Sequence, residues 1–287
     1  VLAMFGQVFE KTAEMAKAYG VLNKRVDLAI DYTTHLYYGD VNAQMVVGTK
    51  PERGTSYGYT YATVSIVEEG RRLTLFAVPK GVFTTDAKVV ELLLRQALRV
   101  VRVRTVYLDR WFYKGDVINK LQEMGVKFLM PAVQSKRVVE IMKSAQAPAV
   151  IDYRMGITSA RKGRRWFRED SPRYRLVVAE DAGQKRAFAT NLEVEPHHAH
   201  ELFEMYRKRW GIETSYRVKT EFRARTTSKN YAVRLFYFLF SACLYNLWIL
   251  ANVHLGKLAR LILEKPLITA KLFGTMLYKM FYIDDGG

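Results

Sequence analysis

Hydrophobic alternation begins in earnest at residue 26. Val26, Leu28 and Ile30 alternate with Asp27, Ala29 and Asp31, a period of two that predicts a strand ending at Asp31-Tyr32-Thr33-Thr34. Two β-rich runs follow, Tyr57 to Val67 and Leu73 to Val78, and the turn-like Glu68-Glu69-Gly70-Arg71 between them predicts a hairpin. The period then changes. Val89, Leu93, Ala97 and Val100 share one helical face behind a Thr85 cap, so a helix is predicted there. A fourth strand is read in VRTVYLD, a helix from Asp116 to Met124 closed by Gly125, and a fifth strand in VKFLMPA.

Three strands, a helix, a strand, a helix and a strand is the order of an RNase H-like domain. The expected fold class is therefore α/β, a mixed sheet flanked by helices. Between about residues 135 and 195 the character shifts. The short helical segment SKRVVEIMKSAQ precedes the basic stretch RKGRRWFRED, then two β-like runs, RYRLVVAE and KRAFATNLEV, meet at Asp181-Ala182-Gly183. This reads as a β-rich insertion before a helical part that resumes at HHAHELFEMYRKRWGIETSYRVK. A second long helix covers about Lys229 to Val253. The expected organisation is an N-terminal segment (1–23), a first RNase H-like part (24–134), the insertion (135–195), a second, helical RNase H-like part (196–255) and a C-terminal segment (256–287). Opening on Val suggests a truncated start, and no secretory signal is legible there.

Charge narrows the partners. Of 287 residues, 45 are Lys or Arg against 28 Asp or Glu, a formal charge of +17, which points to a polyanion and first to nucleic acid. The single cysteine, Cys243, excludes an intramolecular disulfide and a thiolate metal cluster, in keeping with a reducing compartment. Leu235 to Gly256 carries no Asp, Glu, Lys or Arg over 22 residues, enough to span a bilayer by length. Its Ser241, Asn246, Asn252 and His254 favour a helix buried in a large domain, since polar groups are costly at membrane depth. No membrane partner is expected.

Three acids are placed unlike the rest. Asp31 ends the first strand and Asp109 the fourth, and an RNase H-like sheet makes those strands neighbours. Two carboxylates held that close repel unless a divalent cation neutralises them. Asp27 shares Asp31's strand face, so position alone favours either. Tyr206, Arg209 and Glu213 are spaced i, i+3 and i+7 and so share one helix face, with Arg217 close to it. The plainer reading of Glu213 is an ordinary i, i+4 partner of Arg209 or Arg217.

These residues carry a resemblance. Asp31-Tyr32-Thr33, the run Leu108 to Tyr113 (LDRWFY), and Tyr206, Arg209 and Glu213 at their spacing resemble the DDE transposases of insertion sequences, specifically the insertion sequence 4 group, across about residues 24 to 255. The gap of 104 positions from Asp109 to Glu213 accommodates that group's inserted β-domain. The resemblance implies a transposase catalysing metal-dependent DNA strand cleavage and strand transfer. Asp31, Asp109 and Glu213 would be catalytic and would bind two Mg²⁺ ions, with Mn²⁺ substituting. Tyr206 and Arg209 would grip phosphates beside the scissile bond. The implied partners are double-stranded DNA with terminal inverted repeats and target DNA, bound by a homodimer in a prokaryotic cytoplasm and associated with the nucleoid. One element departs from the pattern. The family's lysine falls at Thr220, while Lys219 lies one residue early, roughly 120° off the face of Glu213 at about 100° per residue. Either a local irregularity restores Lys219 or Arg217 takes the phosphate contact.

Two further DNA contacts are read from composition. Trp111, just after Asp109, is placed to stack on a flipped base, with core packing as the blander alternative. Arg161, Lys162, Arg164, Arg165 and Arg168, interleaved with Trp166 and Phe167, form the densest basic run and a DNA clamp, the alternative being a solvated loop. A DNA-binding protein descended from a transposase, with its acids intact and its chemistry lost, is the rival reading of the whole chain.

Overall fold

The computed structural model describes residues 1–68, 70–158, 165–166, 171–181, 183–260 and 265–282. The chain opens with a helix, α1 (Leu2–Ala18), whose Phe5, Phe9, Ala13 and Ala16 are buried. Four strands follow: β1 (Val26–Leu36), β2 (Val47–Glu52), β3 (Thr55–Ile66) and β4 (Thr74–Lys80). The β1 strand pairs antiparallel with β3, which pairs antiparallel with β4. Helix α2 (Asp86–Val100) starts where the cap residue predicts, with Thr85 Oγ1 accepting from the Lys88 N–H at 3.2 Å, an interaction typically worth about 1 kcal/mol. Strand β5 (Val103–Leu108), helix α3 (Gly115–Glu123) and strand β6 (Phe128–Pro131) follow as expected, α3 being closed by Gly125 at φ +65°, whereas α1 and the edge strand β2 stand outside the expected order of three strands before the first helix. Both β5 against β1 and β6 against β5 are parallel.

The second half extends the same sheet. Helix α4 (Lys136–Ser144) leads to β7 (Ala149–Arg154), a two-residue pair β8 (Ile157–Thr158) and β9 (Arg165–Trp166), then β10 (Arg173–Asp181) and β11 (Gln184–Thr190). Strand β11 lies antiparallel on β6, so the nine-stranded sheet runs β2-β3-β1-β5-β6-β11-β10-β7, with β4 on β3. The β-rich segment thus adds three strands to the central sheet, and β8 with β9 forms a separate two-stranded sheet. The fold is a mixed α/β fold with the RNase H-like order in its first five main strands.

Helices α5 (Glu201–Arg207), α6 (Trp210–Glu221), α7 (Tyr231–Leu258) and α8 (Ala270–Tyr282) follow. Strand alternation divides the core between the two faces. Leu28 and Ile30 of β1 and Val106 and Leu108 of β5 pack with α2 and α3. Ala29 and Tyr107 point the other way, toward Leu202, Phe203 and Ile212 of α5 and α6. Helix α7 is long and apolar enough to cross a membrane by length and composition, and 56% of its most apolar window is buried inside the fold. Its Asn246 shows why an amide sits there. Oδ1 accepts from the Thr74 N–H at 2.8 Å and Nδ2 donates to the Thr74 carbonyl at 2.7 Å, so the side chain pairs with strand β4 as backbone would.

Candidate functional site

Register brings the two aspartates together. Ala29 faces Tyr107 and Ile30 faces Leu108 across the parallel β1–β5 pair, so Asp31 and Asp109 come next along it; Asp31 does not end its strand as expected, because β1 continues to Leu36 on its pairing with β3, whereas Asp109 follows the last residue of β5. Alternation aims both at the face covered by α5 and α6. Asp109 also caps a 3-10 turn, its Oδ1 accepting from the Arg110 N–H at 2.5 Å.

The third acid arrives on α6. The segment read as one helix is tightened between α5 and α6, where the Arg209 N–H reaches the Tyr206 carbonyl at 3.0 Å and the Ile212 N–H reaches the Arg209 carbonyl at 2.9 Å. These i, i+3 bonds tighten the helix by a local 3-10 turn at Lys208–Arg209. Arg209 is only 7% exposed. Its Nη1 donates to Asp31 Oδ2 and its Nη2 to Glu213 Oε1, each at 3.0 Å. The guanidinium lies 5.5 Å from the centroid of the Tyr206 ring. The plainer expectation for Glu213, an i, i+4 pair with Arg209, is realised together with the meeting of Asp31, Glu213 and Tyr206.

Burial dominates the electrostatics of this cluster. Burial pushes the Asp31 carboxyl up to about 6; Arg209 opposes the rise, and Asp109 and Glu213 reinforce it. Burial likewise pushes the Tyr206 hydroxyl up to about 12, with Arg209 opposing and Asp109 and Asp31 contributing. Asp27, the alternative acid on the same face, is 1% exposed and already matched: Arg104 grips it through Nε and Nη2, both at 2.8 Å, and Lys208 stands 3.5 Å away.

The displaced lysine is not restored to the Glu213 face. Helix α6 is continuous from Trp210 to Glu221, so the tight turn lies before Glu213 and leaves the later phase unchanged. Lys219 is 4% exposed, its Nζ 4.7 Å from the Tyr216 ring centroid and 5.1 Å from that of Tyr245, with no hydrogen-bond partner among the described residues. Burial lowers its ammonium to about 7, against the pull of Asp31. Tyr216, beside it, donates to the Asp31 carbonyl at 3.2 Å. Arg217 is exposed and shares with Lys219 a cavity of about 210 Å³ beside Thr33 and Thr34.

Trp111 is exposed, with the Lys114 ammonium 4.7 Å from its ring centroid, so it is free of the core packing that was its alternative. Of the basic run, Arg161, Lys162, Arg164 and Arg168 lie outside the described residues, and Arg165 is placed only by its backbone, paired with Thr158.

Sequence reasoning missed Asp86. This carboxylate is 5% exposed at the first turn of α2 and accepts from Tyr32 Oη at 2.7 Å, from Lys80 and from Lys114. Burial would raise it, and the bonds from Lys114, Lys80 and Tyr32 outweigh burial and hold it below the usual carboxylate range. An Asp just after a Thr cap is common helix chemistry, so the linear chain carries no signal of its three partners.

Among the described residues no three His, Cys, Asp or Glu side chains are grouped closely enough to hold a metal ion together. The donor set nevertheless fits a hard divalent cation in kind. Carboxylates of β1 and α6 meet across the Arg209 guanidinium, and Asp109, after β5, adds its charge to the same field.

The mixed α/β fold thus carries Asp31 and Asp109 on adjacent parallel strands, with Glu213 on a following helix. Residues 26–247 match the family described as Transposase DDE domain, and the chain belongs to it. No curated protein matches the sequence. Among solved structures it is similar to a piggyBac transposase synaptic complex with hairpin DNA, with a TM-score of 0.59 and 14% identity over 89% of this chain and 52% of that one. The likeness concerns the fold, and the chain spans about half the length of that transposase.

Proposed function

We propose that this chain is the catalytic domain of an insertion-sequence transposase of the insertion sequence 4 group, carrying out metal-dependent DNA strand cleavage and strand transfer. The observation that carries this is the pairing of Asp31 and Glu213 through one buried cation, Arg209, with Asp109 following the neighbouring strand, in a chain of the transposase DDE domain family. Two Mg²⁺ ions, or Mn²⁺ in their place, held by Asp31, Asp109 and Glu213 would supply Lewis-acid activation of the attacking water and stabilisation of the leaving 3′ oxygen. The chain's own groups do the rest. Arg209, which bridges Asp31 and Glu213 beside the Tyr206 ring, would fork onto phosphate oxygens next to the scissile bond, and Tyr206 would hold its plane. Arg217 and Lys219 line the path beyond Asp31. Trp111 offers a ring to an unstacked base, and the run of Arg161, Lys162, Arg164, Arg165 and Arg168 meets the backbone of the duplex. The substrates on this reading are element ends with terminal inverted repeats and a target duplex, bound by a homodimer in the nucleoid of a prokaryotic cytoplasm.

The second reading, a DNA-binding protein that no longer cuts, draws on the same guanidinium, which already pairs with two of the three carboxylates. Nicking of supercoiled plasmid in Mg²⁺ or Mn²⁺ separates them. Nicks bearing 3′-hydroxyl ends, made by the wild type and lost in Asp31→Asn, Asp109→Asn and Glu213→Gln, are the expected result. Plasmid bound and left intact by all four proteins establishes the silent reading.

A further inference from the structure

We infer that Asp86 is a positioning residue that sets the spacing between Asp31 and Asp109 from the opposite face of the sheet. The inference rests on the functional reading above. Alternation along β1 sends Asp31 toward α6 and the next residue, Tyr32, toward α2, so whatever holds Tyr32 holds the backbone that aims Asp31. Tyr32 is held twice. Its hydroxyl donates to Asp86 at 2.7 Å, and its ring stacks on Phe112 with centroids 4.9 Å apart and planes 14° apart. Phe112 belongs to the 3-10 turn that Asp109 caps, and Lys114, two residues on, donates to the other oxygen of Asp86. Asp86 therefore joins the residue after one candidate metal ligand to the loop that follows the other.

The remaining partner explains why the clamp is rigid. Lys80, at the end of β4, binds the same carboxylate oxygen as Tyr32, and its ammonium lies 5.1 Å from the Tyr32 ring centroid. A buried carboxylate with three donors from three elements, two of them cationic, has both oxygens committed and cannot swing without leaving a buried charge unpaired. Anchors of this kind behind a ligand commonly control metal affinity by 10- to 100-fold. A helix-cap acid serving only α2 would leave metal binding alone.

The test measures Mn²⁺ binding to the DNA-free protein by electron paramagnetic resonance of the unbound ion, alongside thermal midpoints. Asp86→Asn should raise the half-saturating Mn²⁺ concentration about tenfold, and Tyr32→Phe, which keeps the ring stack, about threefold. Adding Tyr32→Phe to Asp86→Asn should bring no further rise, because both cut the same link. Asp31→Asn is the control that abolishes the site. Binding that depends on Asp31 but is unchanged in Asp86→Asn overturns the clamp alone. Should Asp86→Asn fail to fold, Tyr32→Phe and Lys114→Met decide, and unchanged binding in both overturns the clamp. Wild-type binding that Asp31→Asn leaves intact, or no binding at all, overturns the functional reading and the clamp with it.

Discussion

The start and the middle of β1 place an aspartate on the same face of the same strand and treat it in opposite ways. At the start, Asp27 meets one bidentate arginine and a nearby lysine, with Glu68 sharing Arg104 at 3.3 Å. Two cations face two carboxylates, and the end is electrostatically closed. At mid-strand, one arginine serves Asp31 and Glu213 while Asp109 adds a third negative charge to the field. The uncompensated negative charge is what a divalent cation would neutralise, so charge balance separates a structural acid from a candidate catalytic one where strand position does not.

The sharpest way to break that comparison is to remove each acid and assay cleavage. Asp31→Asn, Asp109→Asn or Glu213→Gln should lower metal-dependent nicking by about 10³-fold or more, the several kcal/mol that a lost metal ligand costs a transition state, while Asp27→Asn, provided it folds, retains activity. Nicking by Asp31→Asn at the wild-type rate would erase the distinction.

Stability should move in opposite directions at the two positions. The Asp31 carboxyl is raised from its ordinary 3.8 to about 6, so folding favours the protonated form; the protein loses stability as pH climbs from about 4 to about 6 and carries the full cost above that. In metal-free buffer at pH 8, Asp31→Asn should therefore stabilise the fold by up to about 3 kcal/mol, with the gain fading by pH 4. Asp27→Asn should destabilise by about 1–3 kcal/mol, because it removes the charge that Arg104 binds. Urea unfolding at both pH values checks the pair. Wild-type stability should also rise on adding Mg²⁺, and that of Asp31→Asn should not.

Smaller changes sharpen the picture. Arg209→Lys, whose ammonium cannot fork to Asp31 and Glu213 together, should cut nicking about tenfold, roughly 1.4 kcal/mol. Lys208→Ala should shift stability by less than about 0.5 kcal/mol, since that half-exposed ammonium stands 3.5 Å from an acid already paired with Arg104.

What the linear chain determined was local or periodic. Alternation marked β1, cap chemistry marked α2 at Thr85, and the i, i+3, i+7 spacing put Tyr206, Arg209 and Glu213 on one face. Each depends on residues within a turn or two of one another, where side-chain periodicity and backbone hydrogen bonding act directly. The 22-residue uncharged run was legible as a helix, and Asn246 hinted that its environment was protein. What only the tertiary structure decided depends on residues far apart in sequence. The addition of β11, β10 and β7 to the edge at β6 is a pairing choice between strands that look alike when read alone. The Asp31-Tyr32-Thr33 resemblance already favoured Asp31 over Asp27; the difference in their charge surroundings required Arg104, 77 residues from Asp27, and Arg209, 178 residues from Asp31. Burial of Lys219 between Tyr216 and Tyr245 needed α7 to close over α6. Asp86 gained its partners from β1, β4 and the approach to α3, because a carboxylate's role is set by the field around it, and that field exists only once the sheet and helices have met.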